Sequence, residues 1–156
     1  MNKIAIALSI ILLSLTGCAN SQDRLDQRLF RELKAEHKLT DAQTYELLGL
    51  TYFKLDNSAR ASLYFKKAVA LNSALYLSWY RLGLLHMDNP EHFFKKTIRA
   101  NPKFAPSHYW LGTWYLNQNR NNEAKAQFDQ YLNQVDRNDP IEQSRIKEAE
   151  NHRGLR

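Results

Sequence analysis

Apolar residues fall at spacings of three and four along most of the chain, the rhythm of a buried stripe on a helix. Leu25, Leu29, Phe30 and Leu33 predict an amphipathic helix over about 23 to 37. Further stripes predict helix pairs at about 42 to 55 with 58 to 71, 76 to 88 with 90 to 100, and 106 to 118 with 121 to 134. Asp139-Pro140 reads as a cap followed by a first-turn proline, and Ile141, Ile146 and Ala149 mark a closing helix to about 150. The fold expected is all-α.

The stripes repeat. Tyr45-x-x-Leu48-Gly49-x-x-Tyr52, Trp79-x-x-Leu82-Gly83-x-x-His86 and His108-x-x-Leu111-Gly112-x-x-Tyr115 align. Downstream, Ala61, Phe65 and Ala68 follow the first glycine as Ala124 and Phe128 follow the third. Leu48, Gly49 and Tyr52 share one helix stripe, where the glycine admits a second helix and Phe65 fills the space beside it. These are core positions. The pattern resembles the tetratricopeptide repeat, a helix-turn-helix unit, and implies a short helical solenoid of three repeats (42–75, 76–104 and 105–138, together 42–138). A capping helix at 24–38 precedes them; a second at 139–150 and a tail at 151–156 follow.

The middle repeat departs from the pattern. Gly49 and Gly83 are 34 residues apart, Gly83 and Gly112 only 29. Phe94 and Pro102 keep the spacing of Phe65 and Ser73, so the missing residues lie between Gly83 and Phe94. Asp88-Asn89-Pro90-Glu91 reads as a stop and an immediate restart, with Asn89 as N-cap. A clipped turn and a shortened second helix are expected.

The N-terminus reads as an address. Lys3 precedes the uncharged run Ile4 to Leu15, and Thr16 and Gly17 lead into Cys18, a signal-peptide pattern. A helix of 12 residues reaches about 18 Å, short of a hydrocarbon core of about 30 Å. Leu15-Thr16-Gly17-Cys18 resembles the bacterial lipobox, which implies cleavage of 1–17 and acylation of Cys18, with 18–23 as a lipidated tether. Several acyl chains suffice for stable anchoring. By the same resemblance, Ala19 in place of aspartate implies the outer membrane, facing the periplasm.

Composition narrows the chemistry. The formal charge of +6 falls to +5 once Lys3 is removed, and the charges are interspersed, so no basic block tracks a nucleic acid. One cysteine allows neither an internal disulfide nor a Cys-based zinc cluster. None of the five histidines has a metal-ligand spacing, and His86 and His108, which replace motif aromatics, read as packed. With no nucleophile elbow and no phosphate-cradling loop, the expectation is no enzyme, no metal, no cofactor and no small-molecule substrate.

The repeat resemblance places a concave lining at Leu50, Phe53 and Lys54, at Leu77, Tyr80, Leu84 and Met87, and at Tyr109, Thr113, Leu116 and Asn117. This lining is apolar and aromatic at its centre, which suits an extended apolar segment or an amphipathic helix of a protein partner. A flanking helix of the chain itself is the other candidate occupant. In architecture the chain resembles the tetratricopeptide lipoproteins called pilotins, which assist outer-membrane assembly of pilus or secretion-system subunits. It equally resembles periplasmic repeat lipoproteins that act as adaptors for peptidoglycan hydrolases and other envelope enzymes.

Overall fold

The computed structural model describes residues 19–153, and the regular structure among them is helical throughout. Eight helices run in order: α1 Ala19–His37, α2 Asp41–Lys54, α3 Ser58–Leu71, α4 Tyr76–Leu85, α5 Glu91–Ala100, α6 Ala105–Asn117, α7 Asn121–Gln134 and α8 Gln143–Arg153. They form two compact units, one ending at Asn72 and one starting at Ser73. Cys18, and with it the lipidation expectation, lies outside the described residues.

In the first unit, Thr40 starts α2 with a reciprocal cap. Its hydroxyl accepts from the Gln43 amide at 3.3 Å, and the Gln43 side chain accepts from the Thr40 amide at 3.0 Å. Asn57 starts α3 by accepting from the Arg60 amide at 3.1 Å. Leu48, Tyr52, Ala61, Phe65 and Ala68 are buried where the two helices pack. A methyl group on Gly49 would lie 2.7 Å from the Phe65 ring, so the backbones approach this closely only because position 49 lacks a side chain.

Helix α1 buries Leu29 and Leu33, and it also buries Asp26. That carboxylate accepts hydrogen bonds from the Tyr52 and Tyr64 hydroxyls and from the Arg60 guanidinium. Burial, together with the Asp26 charge, raises the pKa of both tyrosines well above the ordinary value. Gln22 donates to the Tyr52 hydroxyl at 3.0 Å, and Asp23 lies 3.4 Å from Arg60. The expected tether is therefore corrected: residues 19–23 are helical. Polar partners hold these first turns, and a pattern of apolar residues that begins at Leu25 carries no sign of them.

In the second unit the middle pair is short at both helices, 10 residues each. Helix α4 ends at Leu85 rather than near 88, and His86 to Asn89 form a turn closed by Asn89 N to His86 O at 3.0 Å. Pro90, not Asn89, occupies the N-cap position, and it is buried. Leu82, Gly83 and Phe94 fill the interior; Trp79 is half-buried and Pro102 exposed. Leu111, Gly112, Tyr115, Ala124 and Phe128 are buried in the last pair. His108 is buried between Gln127, 2.9 Å from Nδ1, and the Pro102 carbonyl, 3.3 Å from Nε2.

Glu91 fastens α5 to the next pair. Its carboxylate accepts from Arg120 at 2.9 Å, Tyr115 at 3.0 Å and Lys95 at 2.6 Å. The Arg120 guanidinium leads the causes that hold its pKa down at about 2. Helix α8 starts at Gln143 rather than near 139, because the Asp139 side chain accepts from the Ile141 amide at 2.9 Å and makes a turn there. Ile146 and Ala149 are buried, Ile141 is exposed, and the helix continues through Asn151 to Arg153 where a tail was expected.

Candidate functional site

The expected lining residues are divided between the two units. Leu50 and Phe53 are half-buried and Lys54 exposed on α2, all in the first unit. The others belong to the second unit, where α4 and α6 are the first helices of consecutive pairs. Leu77 and Met87 are exposed at 38% and 40%, one in the first turn of α4 and the other just past its end. Between them Tyr80 and Leu84 are half-buried against the unit's core.

Tyr80 meets α6 directly. Its hydroxyl accepts from the Trp110 indole at 3.1 Å, and its ring stands edge-on to Phe104 at 5.0 Å. Burial raises the pKa of this tyrosine. Trp110 is covered in turn by Arg145 of α8, whose guanidinium lies 5.7 Å from its ring centre and 5.4 Å from that of Tyr109. Arg145 keeps a carboxylate partner, Glu142, at 2.7 Å. One turn on, Trp114 carries Arg120 at 5.6 Å, and its indole N–H is buried with no hydrogen-bond partner.

Tyr109 corrects the sequence reading. It is 6% exposed, and its hydroxyl donates to Glu148 at 2.6 Å. Tyr131 lies 5.3 Å away, and burial followed by the Glu148 bond pushes the Tyr109 pKa up to about 12. It belongs to the contact between the last pair and α8 and cannot anchor a partner. Thr113 turns its hydroxyl back to the Tyr109 carbonyl at 3.1 Å, Leu116 packs on the core, and Asn117 is exposed.

Sequence reasoning misses Trp110 and Trp114. Their signal is present, two large aromatics four apart on α6, but fixed offsets from the motif glycine pass over them. Arg145 is not legible, since nothing in α8's sequence says which helix it covers.

The arrangement is a set of ring faces and aliphatic ends with two paired cations, Arg145 and Arg120, suited to apolar contact and hydrogen bonding with another chain. Among the described residues no group of three or more His, Cys, Asp or Glu could hold a metal ion, and no helix is long and apolar enough to cross a membrane.

Residues 42–75, which hold α3 and all of α2 but its first residue, match the family model described as tetratricopeptide repeat. No curated protein sequence matches the chain. The fold is similar to that of MamA, with a TM-score of 0.59 at 23% identity over 94% of this chain and 82% of that one. It is similar to YrrB, described as a tetratricopeptide protein with an unusual peptide-binding site, with a TM-score of 0.60 at 17% identity over 93% and 73%. Pseudomonas aeruginosa pilF is similar as well, with a TM-score of 0.61 at 13% identity over 96% and 71%. One repeat matches in sequence, and over nearly its whole length the chain shares an all-α fold of the tetratricopeptide type.

Proposed function

We propose that this protein is a membrane-tethered, non-enzymatic periplasmic scaffold that docks a segment of another protein on the α4 and α6 face of its second unit. The carrying observation is that Leu77 and Met87 stand exposed on either side of the Tyr80 and Trp110 pair. Singly exposed apolar residues are ordinary, but two of them bracketing an aromatic residue that is hydrogen-bonded to a second one give a candidate anchor site. An extended apolar segment or an amphipathic helix supplies the complementary side chains. The tether is Cys18, on its lipobox-like setting, with the outer membrane as destination. The role is pilotin-like assistance in assembling a pilus or secretion-system component.

Two experiments test the halves of this proposal. Metabolic labelling with a palmitate analogue and membrane fractionation should give label and outer-membrane recovery that both vanish in Cys18→Ala; label on that variant contradicts the tether. Leu77→Ala, an exposed change, should lower partner affinity by about 1 kcal/mol or more with little loss of helicity, whereas Tyr80→Ala should cost stability as well, because Tyr80 packs on the core and holds Trp110. A pilus or secretion subunit as the partner supports the assembly role, and a cell-wall enzyme replaces it with an adaptor role.

A further inference from the structure

The first unit carries a cleft of about 590 Å³ between α1, α2 and α3, apart from the face just described. Its walls are aromatic. Phe30 lies 4.6 Å from Tyr45, and Tyr45 stacks at 6.0 Å on Tyr64. Leu63 stands 44% exposed in the lining.

The charges in the lining are unevenly matched. Both carboxylates, Asp23 and Asp26, are paired with Arg60, and Asp26 is further neutralised by two tyrosine hydroxyls. Both cations lack such a partner. The Lys67 ammonium lies over the rings of Tyr45 at 5.3 Å and Tyr64 at 5.1 Å, and Arg31 donates to the Gln27 carbonyl at 3.3 Å. Neither meets a carboxylate among the described residues. Since both carboxylates share the one Arg60, the cleft carries an excess of one positive charge beside an aromatic wall, with Lys67 and Arg31 as the cations that no carboxylate among the described residues meets.

We propose that this cleft binds a protein segment in which an aromatic side chain sits next to a carboxylate. The ring packs against the half-buried Phe30 and Tyr45 and the exposed Leu63, where offset or edge-on packing is favourable. The carboxylate completes Lys67 and Arg31, which form charge-assisted hydrogen bonds without giving up another anion. The volume is that of a site for one or two side chains. A phospholipid headgroup satisfies the cations but brings nothing to fill the aromatic wall, so the observations favour a peptide over a membrane surface.

The test uses the full chain in phosphatidylcholine nanodiscs and follows amide shifts of Leu63 and Lys67. The probes are acetyl-Gly-Phe-Glu-Gly-amide, the same peptide with Lys in place of Glu, and vesicles of phosphatidylcholine with phosphatidylglycerol. The Glu peptide should shift both amides and bind about two- to fivefold tighter per ion pair than the Lys peptide. Lys67→Glu, an exposed change, should reverse that preference with the circular dichroism spectrum unchanged, and Arg31→Glu should do the same. Equal binding of the two peptides, no shift at millimolar peptide, or a preference that survives Lys67→Glu overturns the proposal. Anionic vesicles that shift these amides where the peptides do not assign the cleft to lipid instead.

Discussion

The smallest side chains govern how the helix pairs close. A methyl group added at Gly83 would lie 2.5 Å from the Phe94 ring, against 2.7 Å to Phe65 at Gly49 and 2.9 Å to Phe128 at Gly112. Alanine in place of glycine gains about 0.5 to 1 kcal/mol of helix propensity, whereas overpacking a tight core costs about 1 to 3 kcal/mol. All three phenylalanines are fully buried, so their rings have little room to yield and the clash wins. Gly83→Ala should therefore destabilise the protein, and more than Gly112→Ala does. Thermal unfolding of the two variants checks the order; equal or raised midpoints contradict the packing described. The spacing of leucine, glycine and aromatic residues makes these positions legible in the sequence alone. What spacing cannot convey is burial by a remote element, and so Tyr109 reads as a surface residue although α8 covers it with Glu148 and Arg145.

At the scale of elements, polar contacts decide what apolar patterning leaves open. The start of α1 escapes the sequence pattern because Gln22, Asp23 and Asp26 hold it through Tyr52, Tyr64 and Arg60, an arrangement with no periodic signature. The shortened second helix of the middle pair is legible from the glycine interval, but the expected clipped turn is corrected: the turn at 86–90 is longer than those at 55–57 and 118–120, and the early end of α4 at Leu85 takes up the rest of the missing residues. Glu91 compensates for the brevity of α5 by joining it to Arg120 and Tyr115. Its carboxyl pKa is depressed to about 2, so its stabilisation is complete above the ordinary carboxylate value of 4.5 and is lost as pH falls from there toward 2. Glu91→Gln should cost about 1 to 2 kcal/mol at pH 7 and progressively less below pH 4.5. Urea denaturation of both proteins at several pH values checks this; a difference that grows on acidification contradicts it.

At the scale of the whole molecule, two units serve one proposed purpose. In the first, α1 begins at Ala19, directly after the proposed acylation site, and is clamped by the buried Asp26 cluster, so the proposed lipid at Cys18 would be separated from this helix by no extended linker. In the second, the α4 and α6 face is the proposed docking surface. The most direct measurement of that central claim is crosslinking in living cells from a photoreactive residue in place of Met87. The account predicts a defined protein adduct that disappears with Leu77→Glu, an exposed change that leaves helicity intact, and that is absent when the photoreactive residue replaces Lys125 on the exposed side of α7. An adduct that forms equally from both positions, or one that Leu77→Glu leaves unchanged, contradicts it.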